Sequence, residues 1–590
     1  MVGCYLRHDG CVKAAMHSYD SNQPLSRRNW LGRVSTASVG AGLAAAVTAG
    51  AAEPTASSSP ENSLGARVYN VRDFGAKGDG TTLDTAAVQA AIDACNKDQG
   101  GTVLVPAGTF VIGTVEMKSN VTLHITAGGK LLGSGDGKQY HAAEAIPLEG
   151  DSTLGDGNVG LIFAVKADNI TIEGPGMIDG NGRQFLRGPN GEPAPSGLTS
   201  LKRPYHLLFY QCTNVRVRDI YLFACAYHSV RVVQSHYVWL RGIRIYNRVN
   251  HNADGFHFIS AQHVHLSDST VECQDDACAL FGSCKFVTVT NCYFSTRWSV
   301  FRFGGGEAEN IAVSNCIIHE TYGCPIKIHC TPRSRFENMS FSNLVMTDVT
   351  GPISISLGAG RRRRTPEAAG TNAPPVEADE PAAVGICRNI SFSGIHAVVS
   401  VPVSLSDVPF KSGYNPGEIK SCIGLNAVGG GVIENISFND VQVTFPGGGT
   451  AEEAALRDVP NIIGEYYAAG VFPAYALYAR NVRGLTLNNV RFEVAGDEAR
   501  PAVVFDHVED AAVNGFSAQG TKAEESLLRF IDTKDVLLSA SRLLAPAATF
   551  LQVEGANCEN ITIDGGDLSR AAKALAFKSG GSEKAVRLRV

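Results

Sequence analysis

Net charge is what this sequence has least of: 51 Lys and Arg against 57 Asp and Glu leave −6 over 590 residues. That balance offers no basic field to nucleic acid or to an anionic membrane, and neither is expected as a partner. A bilayer-spanning run is not found either, since the stretch from Val34 to Ala49 is short and diluted with Gly, Ser and Thr. The 15 cysteines show no spacing that resembles a zinc site, so no metal and no other cofactor is expected. Cys292 and Cys316 lie 24 residues apart, each after an asparagine. On stacked strands that register suits a disulfide or a ladder of buried thiols, and mostly free, inert thiols are expected.

What the chain does have is a repeat. A polar residue, often Asn, then Val or Ile, then strand-like alternation recurs at Asn214, Tyr237, His263, Phe286, Asn310 and Asn338, with steps of 23, 26, 23, 24 and 28 residues. The phrase continues upstream to Asn120 and Asn169 and downstream to Asn389, Asn435, Gly484, Asp510, Asp535 and Asn560. Such a period marks a solenoid, because one coil cannot bury its apolar side without stacking on the next. The fold class is therefore all-β, a parallel β-helix. Six of the phrases match the Asn-x-Ser/Thr acceptor (Asn120, Asn169, Asn338, Asn389, Asn435, Asn560), but their fixed place in the repeat points to turn asparagines stacked as ladders.

Residues 1–51 read as an export region. Ser26-Arg27-Arg28-Asn29-Trp30-Leu31 precedes the weakly apolar run, and Ala49-Gly50-Ala51 offers a small-residue cleavage site, which resembles a bacterial twin-arginine signal. The mature protein is then expected in the periplasm or outside the cell, and Met16 is an alternative start. Residues 52–66 form a linker, and 67–590 a single β-helix domain. A short helix capped by Asp84, with Ala87, Val88, Ala91, Ile92 and Cys95 on one face and stopped by Gly100-Gly101, is placed to cover the solenoid's open end. Loop insertions are expected near 182–202, 358–384 and 446–475. The second carries Arg361 to Arg364, read as a solvated loop; the third carries Tyr466, Tyr467, Phe472 and Tyr475, suited equally to stacking on sugars and to packing.

Asn252-Ala253-Asp254-Gly255 is followed about one coil later by Gln274-Asp275-Asp276. Parallel neighbours sit about 4.8 Å apart, so acids at matching positions repel unless one keeps a proton. Glycosidic hydrolysis needs such a pair: one protonated carboxyl to release the leaving oxygen and one carboxylate to activate water or stabilise the sugar cation. Adjacent strand residues face opposite ways, so Asp275 and Asp276 share a site only at a bend.

With the opening Asn70-Val71-Arg72-Asp73-Phe74-Gly75-Ala76-Lys77-Gly78-Asp79-Gly80, these motifs resemble glycoside hydrolase family 28, the polygalacturonases and rhamnogalacturonases, from about Val68 to the carboxyl end. The resemblance implies a right-handed β-helix of the pectin-lyase-like superfamily, with Asp275 as general acid, Asp254 and Asp276 activating water, and inversion at the anomeric carbon. Spacing alone does not imply inversion, because a one-rung separation is nearer the short distance tied to retention. Where the family has Gly-His-Gly this chain has Thr296-Arg297-Trp298-Ser299, and where it has Arg-Ile-Lys, Pro325-Ile326-Lys327. Arg297 or Arg302 would then grip a uronate carboxylate beside Lys327. His251, Asn252 and His257 complete the expected substrate contacts. An acidic plant-type or algal polysaccharide is the implied partner and a monomer the expected state. A calcium-dependent lyase on the same fold, using the three aspartates as ligands, and a non-catalytic glycan-binding β-helix are the alternatives.

Overall fold

The computed structural model describes residues 67–143, 158–188, 192–198, 203–358, 384–403, 414–461, 466–520 and 526–589. The expected export region and linker, the Arg361 to Arg364 run and the Tyr467 side chain lie outside what is described. Between its named strands every pairing is parallel, each strand bonding to the strand one coil earlier and one coil later, which makes a right-handed parallel β-helix.

The helix α1 (Thr85–Lys97) closes the amino-terminal end, with Val88, Ala91, Ile92 and Cys95 buried in the continuous core. Asp84 precedes it as expected but makes no side-chain cap; its carboxylate instead accepts from the backbone N–H groups of Lys77 and Gly78 at 2.7 and 2.9 Å. It ties the Lys77–Gly78 turn to the start of the cap. Gly100 and Gly101 end the helix at φ +124° and +150°, where a Cβ would meet the Asn120 and Arg67 carbonyls at 2.6 and 2.7 Å.

One face of the solenoid carries most of the candidate residues. Its rungs are β1 (Tyr205–Tyr210), β2 (Val230–Val233), β3 (Phe256–Ile259), β4 (Cys278–Thr290), β5 (Ser299–Thr321), β6 (Cys324–Cys330), β7 (Ile353–Leu357) and β8 (Ile423–Ala427). Register partners Phe209, Val232, Phe258, Leu280, Phe303, Ile328, Ile355 and Leu425 point inward as one buried column. Each such side chain contributes roughly 1.5–3 kcal/mol by leaving water. The adjacent outward column reads Arg231, His257, Ala279, Arg302, Lys327, Ser354 and Gly424.

That outward column is nonetheless covered, with Arg231 1%, His257 5%, Arg302 6% and Lys327 1% exposed. On the amino-terminal side a second apolar cluster outside the solenoid joins Ala143, Phe163, Tyr205, Leu208, Tyr210 and Tyr227. On the carboxyl-terminal side α2 (Pro416–Ile419) comes from a loop the sequence did not mark as an insertion, and α3 (Ala451–Ala454) and α4 (Tyr466–Ala469) from the third insertion. The Tyr466 hydroxyl lies 2.7 Å from the Cys422 carbonyl and 3.1 Å from that of Ile353, and Tyr466, Phe472 and Tyr475 are all buried. These aromatics pack; they are not sugar platforms.

Candidate active site

The two acidic loops are sewn together by backbone bonds. Gln274 and Asp275 donate their N–H groups to the Ala253 carbonyl at 3.2 and 3.3 Å, and Gly255 donates to the Asp276 carbonyl at 3.0 Å. Gly255 cannot carry a side chain, because a Cβ would stand 2.5 Å from the Ala277 carbonyl. Asp275 sits at a bend before β4, as sharing a site with Asp276 demands. Asn252, in the left-handed region at φ 51°, turns its amide to donate to Asp275 Oδ2 at 3.2 Å.

Asp275 is partly exposed beside the exposed His251 and Asn252, whereas Asp254 and Asp276 lie beneath, at 4% and 8%. Loss of hydration, then the charge of Asp276, push the Asp275 carboxyl up to about 7, against the opposing pull of Lys327 and the Asn252 amide. Asp276 accepts a short hydrogen bond from the Ser299 hydroxyl, which favours its ionised form. The two adjacent carboxyls thus stand in different settings, one raised by burial and by its neighbour's charge, the other met by a hydroxyl donor.

Asp254 is held by a pair of imidazoles. Its Oδ2 lies 2.7 Å from His257 Nδ1 and 3.6 Å from His228 Nε2, and the two rings stack at 4.5 Å. Burial and the neighbouring positive groups drive both histidines far below their ordinary value, so both are neutral. These three donor atoms have metal-site spacing. The Arg231 guanidinium, which can only donate, reaches His228 Nδ1 at 3.3 Å, so the His228 proton sits on Nε2, towards Asp254. A carboxylate at Asp254 favours the His257 proton on Nδ1 as well, and the group would ligate a cation only by giving up these two protons.

The remaining expected residues divide. Lys327 acts on Asp275 electrostatically and packs its ammonium over Trp298 at 4.6 Å. Arg297 is engaged elsewhere: Glu418 of α2 lies 3.7 Å away, and the guanidinium is sandwiched between Trp298 and Tyr414 at 4.9 and 4.3 Å. Arg302 bonds the Phe303 carbonyl at 3.0 Å and lies over Phe281. Both arginines are buried, each packed against an aromatic ring. His257 supports Asp254, and His251 stands at the rim. His228, Arg231 and Ser299 were missed; His228 precedes Asp254 by 26 residues, one coil, which is the signal that was there to find.

The model of glycosyl hydrolases family 28 matches residues 95–366. A Dickeya chrysanthemi exo-poly-alpha-D-galacturonosidase is 29% identical over 253 residues, covering 36% of this chain and 41% of that protein, so the chain spans less than half the length of this relative. Azotobacter vinelandii alginate lyase 7 is 49% identical over 129 residues, covering 21% of this chain and 15% of that protein. Among solved structures, the Yersinia enterocolitica family 28 exopolygalacturonase superposes with a TM-score of 0.55 at 21% identity, covering 76% of this chain and 78% of that one. The matched span contains Asp254, Asp275 and Asp276, so the similarity to glycosyl hydrolases family 28 takes in the site as well as the coils that carry it.

Proposed function

We propose that this protein hydrolyses O-glycosidic bonds in a pectin-type, uronate-bearing polysaccharide, working from a chain end with inversion, and that it is exported to do so. The observation that carries the reading is the split between the two adjacent carboxyls. Asp275, protonated near pH 6, gives its proton to the glycosidic oxygen as the C–O bond breaks. Asp254 and Asp276, ionised, take a proton from the water that adds to the anomeric carbon on the other face. The leaving oxygen departs as a hydroxyl, Asp275 regains a proton from solvent, and the carboxylate that took the water's proton gives it back to solvent. Lys327 favours an acidic sugar in the site. Attack at a chain end is supported by the covered outward column and by the exo-acting relative.

The test is the mature protein and its Asp275→Asn variant on galacturonan, rhamnogalacturonan and alginate oligosaccharides, following new reducing ends and unsaturated products separately. New reducing ends without unsaturation, lost by more than about 10³-fold in the variant, are expected. Unsaturated products would replace hydrolysis by β-elimination, the reading that the alginate lyase similarity favours.

A further inference from the structure

Arg231, His228 and Asp254 form a directed chain that nothing in the family resemblance assigns. The guanidinium of Arg231 is almost fully buried and lies over the Tyr205 ring at 5.1 Å, so it is fixed by packing as well as by charge. Its N–H enters His228 Nδ1, which sends the His228 proton to Nε2, facing the Asp254 carboxylate. The His228 ring is clamped between neighbours, with Tyr227 at 4.3 Å, His257 at 4.5 Å and Tyr205 at 5.3 Å. It cannot turn over to offer Asp254 an unprotonated nitrogen without dislodging three rings.

We propose that His228, locked by Arg231 as its Nε2–H tautomer, is a positioning residue that keeps Asp254 ionised and aimed for its part in hydrolysis. The groups that face His228 are Asp254 on one edge, Arg231 on the other, the His257 ring against its face, and the Tyr205 and Tyr227 rings. Arg203 is a further positive neighbour, reached across Tyr227. Arg231 and Arg203 keep a second proton off His228, so the charge stays on the guanidinium while the N–H dipole is presented to the carboxylate. A long 3.6 Å contact is an electrostatic support rather than a strong hydrogen bond, which leaves Asp254 basic enough to accept a proton from water. The inference rests on the proposed role of Asp254.

Three variants test it. His228→Phe fills the ring space without a donor, His228→Gln restores an N–H at the reach of Nε2, and Arg231→Met removes the tautomer lock. With His228→Phe, kcat is expected to fall about 10- to 100-fold with KM little changed, as for other groups that only orient a base. The acid limb of the kcat/KM profile should move up by roughly one pH unit, since the ionised carboxylate loses a favourable dipole. Arg231→Met should move it the same way, and His228→Gln should bring back most of the rate. An acid limb that stays in place in both His228→Phe and Arg231→Met, or a rate that His228→Gln leaves as low as His228→Phe, would overturn the inference. Asp254→Asn separates the two levels: full activity in that variant removes the proposed role of Asp254 itself, whereas an inactive Asp254→Asn beside an unmoved limb removes His228 alone. If His228→Phe unfolds, as circular dichroism would reveal, the Arg231→Met limb decides.

Discussion

Asp275 carries a cost in the fold that the proposed acid role explains. A carboxyl raised from 3.8 to about 7 holds its proton more tightly folded than unfolded. Between those values the native state binds the extra proton, so stability is present below about pH 4 and is lost as pH rises towards 7. The ceiling on that loss is about 4 kcal/mol. Asp275→Asn is therefore expected to melt above the wild type at pH 8 and alongside it at pH 4, by scanning calorimetry at both values. Lys327 opposes the rise, so Lys327→Met should carry the alkaline limb of kcat/KM to higher pH even while it weakens binding of an acidic substrate. A limb that moved down would mean that the titrating group is not Asp275.

At the scale of the element, the turn ladder shows what the repeat is for. Asn169 donates to Asn120, Asn214 to Asn169, Asn389 to Asn338 and Asn435 to Asn389, at 2.9, 3.1, 3.1 and 3.0 Å, each with positive φ. In three consecutive coils the same left-handed position is filled by Tyr237, His263 and Phe286, at φ 57°, 53° and 58°. There ring stacking, at 4.8 and 4.9 Å, takes over from amide bonding. Asn389→Val removes both ladder bonds and sets a β-branched residue at φ 57°, and should cost about 2–3 kcal/mol in urea unfolding. His263→Asn exchanges stacking for a residue suited to the turn and should stay within about 1 kcal/mol of the wild type. The coils were legible because this position repeats whatever fills it, and the buried thiols followed from the same register: all 13 described cysteines are free and buried. The three aspartates were legible for the same reason. The setting of Arg297 was not legible because Glu418 is 121 residues away in a loop without periodicity, and no spacing rule reaches across such a gap.

Across the whole molecule, the third insertion is tied to the far end of the solenoid by a few charges. Arg457 holds Glu554 with two bonds of 2.6 and 2.8 Å, and Lys420 holds Glu453 of α3 at 2.7 and 2.9 Å. Arg480, one of the outward groups on the rung after β8, donates to the Val459 and Pro460 carbonyls at 2.7 and 3.1 Å. This strap and α4 lie carboxyl-terminal to the acids, while the second apolar cluster lies mainly amino-terminal to them and ends at Ile259 and Phe281 on the acids' own rungs. A sugar chain longer than the space between them would have to displace one wall. The carboxyl-terminal wall is the one held by ion pairs, and so the one to open. In Arg457→Ala, Glu554 keeps Arg529 at 3.4 Å, so no charge is stranded and the solenoid beneath should hold. Combined with Lys420→Ala, the substitution should leave cleavage of short oligosaccharides near the wild-type rate while spreading early products on long polymer from a single small sugar to a range of lengths, resolved by anion-exchange chromatography. An unchanged single product would place the end wall in the amino-terminal cluster instead, since that is the other described element covering the outward column. Under the proposed chain-end attack, the two results would assign the direction from which a chain enters as well as the wall that stops it.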